Sequence, residues 1–334
     1  MKFTLTLFGT HPLAKPSPEN FKAVETLARA ARDHGFDMVW AGQHYLVKNF
    51  QKFQPVPVLS RITAVTGDLY VNVTDLLPLN HPVRLAEELA SMDAMTGGRI
   101  VLTAALGYAD HEFASFGVPK TERLGRFLEA IEVIKRLWTE DEVTFHGRFY
   151  TLDRVTMNPK PVQKPRPPIW MTADNNKGVI RTAKHGDVWL MSSHNRIAEL
   201  KELIGVYEAH RAGRPRDFND IGIDRPLMRV TFIAPTLKEA VDEARPYIEK
   251  FWRDYYGTMK QGDQMDSPDD FGQPFEKLWQ DRFLLADPAR CVEEIARYRE
   301  ELGIDCLHFN LSGGLEQQLR SLQLLSSKVL PRFK

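Results

Sequence analysis

Residues 78–107, Pro-Leu-Asn-His-Pro-Val-Arg-Leu-Ala-Glu-Glu-Leu-Ala-Ser-Met-Asp-Ala-Met-Thr-Gly-Gly-Arg-Ile-Val-Leu-Thr-Ala-Ala-Leu-Gly, decide the fold. Pro82 suits the first position of a helix, where a missing N–H costs nothing. Val83, Ala86, Leu89, Ala90 and Met92 then recur at helical spacing. Gly97-Gly98 stops the helix, and Ile100–Leu106 is a continuous apolar run. A run apolar on both faces fits a strand covered on both sides, as in a parallel sheet. The stretch is a strand end, a helix and a strand: one parallel β-α-β unit.

The same grammar recurs along the chain. Ser17-Pro18-Glu19 opens a helix carried by Phe21, Val24, Leu27, Ala28 and Ala31; Gly35 closes it and Phe36–Trp40 follows. A second unit ends at His185-Gly186 and continues Asp187–Leu190, and a third runs from Asp287-Pro288 through Gly303 to Ile304–Phe309. Glycine supplies the left-handed conformation that a helix end often needs. Eight strands are expected near residues 3–8, 37–41, 69–76, 99–106, 168–172, 187–191, 228–234 and 304–309. Eight strands alternating with helices make an α/β (β/α)8 TIM barrel, expected as a single domain over residues 1–334. The competing doubly wound sheet calls for a Gly-rich first turn, and Leu7-Phe8-Gly9-Thr10-His11-Pro12 is not one.

Two segments break the alternation. Val143–Tyr150 reads as an extra hairpin, followed by the proline-dense Asn158–Pro168, which must run extended. Gly257–Asp287 is polar and short of periodicity apart from Phe275–Leu285. It would be a long lid loop between strands seven and eight, at the strand C-terminal face where barrel active sites form.

Composition narrows the class. Of 334 residues 43% are hydrophobic, enough for a large core, and Lys+Arg and Asp+Glu both number 44. A net charge of zero gives no general attraction to nucleic acid or an anionic membrane. No stretch reaches the roughly 18 apolar residues of a membrane helix, and Met1–Thr10 reads as a first strand rather than a signal peptide. A cytoplasmic protein is expected. Cys291 and Cys306 lack metal-type spacing, and His81, His111, His185, His194 and His308 form no ligand motif, so no metal site is expected. Arg211–Arg216 reads as a solvated basic turn, and the aromatic run Phe251–Tyr256 as packing or a substrate wall.

The chain resembles the bacterial luciferase-like flavin monooxygenases over nearly its whole length. The markers are Gly35–His44, His81–Arg84, Met92–Arg99, Phe145–Tyr150, Asn158–Gln163 and the helix-strand-helix of Cys291–Phe333. The resemblance implies a barrel flavoprotein, usually a homodimer. Such enzymes take reduced FMN from a separate flavin reductase and use oxygen to oxygenate a small organic substrate. His44, just past strand two, matches the family's acid/base beside the flavin, a role that imidazole chemistry suits. Gln43 stands where Glu is frequent and Tyr45 where true luciferases carry a second His, which argues against light emission. Val73–Thr74 matches a non-proline cis peptide beneath the flavin. Asp75, expected as a second catalytic group, must be hydrated, paired or protonated; the flavin, a polar substrate and Arg84 are its candidate partners.

Thr172, Ala173, Asp174, Asn175, Asn176, Lys177 and Gly178, leaving strand five, match the FMN-phosphate position, and a helix start suits an anion. At the end of strand four, Ala105 and Leu106 occupy the family's cysteine and phosphate-binding arginine positions, so the phosphate contact is expected from Lys177 or elsewhere. Trp189 is expected against the flavin, and Phe8, Gln43, Tyr45, Tyr108 and Met191 in the substrate pocket. Two other readings share the barrel: an oxidoreductase using a deazaflavin coenzyme, and a silent flavin-binding subunit. The latter resembles the luciferase β chain, which lacks the loop after strand seven.

Overall fold

The structure is a computed structural model describing residues 1–7, 11–193, 195–251 and 273–334. Its strands are β1 (Lys2–Thr6), β2 (Met38–Ala41), β3 (Tyr70–Leu76), β4 (Ile100–Ala105), β5 (Val143–His146), β6 (Thr151–Val155), β7 (Ile169–Ala173), β8 (Val188–Met191), β9 (Pro226–Ile233), β10 (Leu284–Ala286) and β11 (Cys306–Leu311). Eight of them pair in parallel in the order β9-β11-β1-β2-β3-β4-β7-β8, and β8 returns to β9 at Met191↔Leu227 to close the barrel. Among the described residues, β5 and β6 form the antiparallel hairpin expected from the aromatic run.

Side chains alternate across each strand. Met38, Val101, Trp170, Val188, Leu190, Met228 and Cys306 meet in one interior cluster. Val39, Val71, Val73, Leu102, Ile169 and Met171 belong to the outer core, beneath the helices. The interior also holds polar groups: Thr103 donates to Asn72 Oδ1 at 2.7 Å, and Thr4 Oγ1 lies 3.5 Å from Cys306 Sγ. His308 sits there 5.7 Å from the Trp170 ring, and burial pushes its imidazole down to about 3, so it is neutral.

The helix signals act largely as the sequence indicates. His81 caps the helix Pro82–Thr96, with its Nδ1 accepting from Val83 N at 3.3 Å, and Gly97 ends it in the left-handed region. Gly186 differs. Its φ of −85° is ordinary, so the position is not reserved for a left-handed turn. A Cβ there would lie 2.9 Å from Met171 Sδ and 3.1 Å from the Thr182 carbonyl oxygen, so the helix end approaches β7 closely.

One expectation is corrected. Among the described residues the cis peptide bonds are Asn158–Pro159 and Lys164–Pro165, and Val73–Thr74 is not cis. Both residues stay in register with β4, Val73↔Leu102 and Thr74↔Thr103, which a trans bond permits. Of the expected lid, residues 257–272 lie outside the described residues. The remainder is ordered: the short helix Phe275–Leu278 and β10 pack Phe275, Leu278, Phe283 and Leu285 against Val230, Phe232 and Ile248.

The proline-dense segment ties the hairpin insertion to the barrel's lower rim. Gln163 donates from N and Nε2 to Asp93, at 3.0 and 2.6 Å. Arg166, 1% exposed, forks onto Asp187 at 2.6 and 2.9 Å and also reaches Asp217, while Asp187 accepts from Ile169 N at 2.7 Å. This fixes where β7 and β8 begin, at the end remote from the mouth. Arg166→Met leaves Asp187 buried with one partner and is expected to lose about 3–5 kcal/mol of stability. Urea unfolding checks it; a loss under about 1 kcal/mol contradicts the role assigned to the pair.

Candidate active site

The mouth of the barrel is organised by the tripeptide that follows β2. Gln43 is buried, and its Oε1 accepts from Leu76 N at 2.7 Å and Asn80 Nδ2 at 3.3 Å. Tyr45 donates its backbone N–H to Glu112 Oε1 at 2.7 Å and its hydroxyl to Asn80 Oδ1 at 3.2 Å. Between them, His44 Nδ1 lies 3.2 Å from the same Glu112 oxygen. Gln54 Nε2 donates to the His44 carbonyl at 2.9 Å, and Tyr108 stands edge-on to the His44 ring at 5.6 Å.

Glu112 is completely buried, and among the described residues its Oε2 has no hydrogen-bond partner. Burial pushes the His44 imidazole below its usual value; the Glu112 hydrogen bond opposes this, and the positive charge of Lys52 adds to it. Burial also holds the Lys52 ammonium well below its usual range, against the pull of Glu112. A neutral imidazole beside a carboxylate donates from Nδ1, so proton exchange runs through Nε2. This is the arrangement of a general acid/base oriented by a carboxylate.

Asp75 sits differently from the expectation. Alternation puts Asn72 and Thr74 inside the barrel and Asp75 on the outer side of β3, 1% exposed. Asn80 is its anchor: Nδ2 donates to Asp75 Oδ1 at 2.9 Å, while Oδ1 accepts from Arg84 Nη2 at 2.7 Å. Among the described residues Asp75 and Arg84 form no direct ion pair; Asn80 stands between them. Burial raises the Asp75 carboxyl to about 7, against the Asn80 bond, the Arg84 charge and the Gln43 bond.

The helix Asn176–His185 begins at the same rim, after β7. Asn175 Oδ1 caps it, accepting from Gly178 N at 2.9 Å, and Asn176 and Lys177 are exposed. The Asp174 carboxylate accepts from Ser192 Oγ, and its carbonyl from Asn195 Nδ2 at 3.2 Å. A Cβ on Gly178 would lie 2.9 Å from the Ala173 Cβ, so the backbone is drawn in where only glycine fits. Thr172 shares the inner face of β7 with Trp170, and Ala105 lies against Leu76 at the mouth. Leu106 packs with the outer core, to which Val73 and Ala173 also belong.

Trp189 and Met191 are corrected. Both belong to the outer core, with Trp189 5.5 Å from the Tyr207 ring and its Nε1 donating to Ala173 O at 3.0 Å. The inner face of β8 carries Val188 and Leu190 instead. A strand apolar on both faces hides its phase in sequence. Phe8 and His194 lie outside the described residues, as do Trp252–Tyr256 of the aromatic run.

Sequence reasoning missed Glu112, Asn80 and Lys52. Glu112 is 68 residues from His44, and nothing in Asp110-His111-Glu112 marks it. Asn80 lies within the stretch that decides the fold, yet its hub role appears only when five groups converge on its side chain.

The luciferase-like monooxygenase family model matches residues 1–306. The chain belongs to this family. It is 26% identical to the oxygenase component of the flavin-dependent trigonelline monooxygenase of Acinetobacter baylyi, over 92% of this chain and 88% of that protein. It is equally 26% identical to an F420-dependent glucose-6-phosphate dehydrogenase of Gordonia bronchialis, over 96% of each chain. The monooxygenase RslO1 of Streptomyces bottropensis superposes over the full length of both chains with a TM-score of 0.87 at 23% identity. Among the described residues no cluster of His, Cys, Asp or Glu could hold a metal ion, and no helix is long and apolar enough to cross a membrane.

The Asp75 environment has a pH signature. Below about pH 4 both folded and unfolded states hold this proton, so its contribution is fully present. Between about 4 and 7 the unfolded state releases it while the folded state, raised to about 7, keeps it. Stability then falls by about 1.4 kcal/mol per pH unit and levels off above 7. Asp75→Asn removes the slope. Its unfolding free energy, measured in urea from pH 4.5 to 8, is expected to gain on wild type up to pH 7 and run parallel above. Parallel curves throughout contradict a raised Asp75.

Proposed function

We propose that this chain is the oxygenase component of a two-component FMN-dependent monooxygenase, acting on a small organic molecule with reduced flavin from a separate reductase. The observation that carries the reading is the His44–Glu112 pair at the barrel mouth, with His44 held neutral by burial. A reduced flavin nucleotide fits the surrounding groups. Thr6 and Thr74 bring buried hydroxyls, unpartnered among the described residues, to the inner face, and Gly178 opens a cradle at a helix start. Thr172, Ala105 and the Val73–Thr74 backbone would border the rings, and Asp174–Gly178 would face the phosphate.

Bound reduced FMN supplies two electrons to dioxygen, so that one oxygen atom enters the substrate and the other leaves as water. His44 takes and returns protons at Nε2, while Glu112 fixes the ring through Nδ1 and, through Tyr45 N, the loop that carries it. Tyr108 covers the edge of the His44 ring and limits water there. Asp75 touches none of this directly. It is a positioning group, acting through Asn80 and Gln43 on the end of β3.

The second reading is an F420-dependent oxidoreductase, favoured by the full-length similarity to the glucose-6-phosphate dehydrogenase. A silent subunit has no use for an imidazole oriented by a buried carboxylate.

The test mixes the anaerobic reduced-FMN complex with oxygenated buffer and follows flavin reoxidation against pH. Wild type is expected to show one acidic limb belonging to His44. His44→Ala abolishes that limb and changes the rate by about 100-fold or more. Glu112→Gln removes the interaction that raises the His44 value, so the limb moves to lower pH. A wild-type profile retained in His44→Ala contradicts the assigned role, and no binding of reduced FMN contradicts the function.

A further inference from the structure

The barrel interior carries polar groups that the His44 chemistry does not use. On β11, His308 stands in register with Thr4 of β1 on one side and Met228 of β9 on the other, and it is fully buried. Trp170 of β7 and Asn72 of β3 share the inner face and are as deeply buried. Among the described residues, six side-chain atoms here have no hydrogen-bond partner: both His308 nitrogens, Trp170 Nε1, Asn72 Nδ2 and the hydroxyls of Thr6 and Thr74.

Alternation sets these groups in two tiers. Thr6 and Thr74 lie two residues beyond Thr4 and Asn72 on their strands, roughly 7 Å nearer the mouth. The lower tier is tied together by Thr103, which donates to Asn72 Oδ1 and stands in register with both Thr74 and Trp170. Trp170 in turn lies 5.7 Å from the His308 ring. A molecule seated at the mouth meets the threonines. His308, Trp170 and Asn72, beneath them, need a partner of their own, because a polar group buried without a hydrogen bond is strongly disfavoured.

The donor and acceptor set identifies that partner. Trp170 Nε1 and Asn72 Nδ2 only donate, a hydroxyl does both, and a neutral imidazole donates at one nitrogen and accepts at the other. Burial holds His308 in that neutral form. A cation placed here would face the two N–H donors, and an anion would face the imidazole lone pair. A small neutral molecule that both donates and accepts suits every group. Buried water meets this description, and at roughly three hydrogen bonds each, six atoms match about two molecules.

We propose that the upper interior of the barrel binds an enclosed cluster of about two water molecules, held from below by His308, Trp170 and Asn72 and reaching Thr6 and Thr74. His308 is then a positioning residue. It orients the cluster and, through it, the two hydroxyls that floor the mouth. That floor is polar and hydrated, where the branched apolar layers of most barrels are dry.

The test counts long-lived waters by water relaxation dispersion in wild type, His308→Leu and His308→Gln, all without flavin, so the outcome does not depend on which coenzyme the mouth takes. His308→Leu is expected to lose about two of them, and His308→Gln, which keeps a donor and an acceptor, to recover part of the loss. Melting temperature gives an independent reading. Nitrogens that bond water make His308→Leu less stable than wild type, with partial recovery in His308→Gln, whereas a dry, unpaired imidazole makes it more stable. Should His308→Leu fail to fold, Trp170→Phe removes the indole N–H and is expected to lose about one water. An unchanged count in the folded variant, or a His308→Leu protein more stable than wild type, overturns the proposal.

Discussion

Period-two alternation along parallel strands is the constraint on which this molecule depends. Every strand of a closed barrel faces the helices with one set of side chains and the axis with the other, and a shift of one residue exchanges them. Val73 therefore packs under helices while Thr74 brings a hydroxyl to the inner face, and Asp75 is turned outward again. The same rule sends Trp189 and Met191 to the helix layer and leaves Val188 and Leu190 inside. Chemistry is confined to the few residues beyond the strand ends, where alternation no longer dictates direction.

Those residues are held by polar groups that satisfy one another. Asn80 links the end of β3, the loop after β2 and the helix carrying Arg84 through its two amide atoms. Glu112 does the same for His44 and Tyr45 from the short helix Asp110–Ser115. Buried networks of this kind rigidify when complete. Among the described residues, the Thr6 and Thr74 hydroxyls on the inner face and Glu112 Oε2 are buried without a partner.

Much of the fold was legible because its signals are local. Pro82, Gly97 and the apolar spacing between them placed the helix Pro82–Thr96 and β4, and the eight barrel strands fall within a few residues of their expected positions. Gly186 shows the limit: its place at a helix end was legible, but its close approach to Met171 was not. The site was legible only in part. His44 and the Asp174–Gly178 turn could be found from their places after strands, whereas Glu112 meets His44 and Tyr45 through contacts between distant segments that no local pattern encodes.

The chain's family spans flavin monooxygenases and F420-dependent dehydrogenases, so the most direct test of the account is which reduced coenzyme the mouth accepts. Purified protein would be titrated anaerobically with reduced FMN and, separately, with reduced F420, and each complex exposed to oxygen. The account predicts saturable binding of reduced FMN and prompt reaction of that complex with oxygen. Binding of F420 in preference to FMN, with a complex indifferent to oxygen, would contradict it.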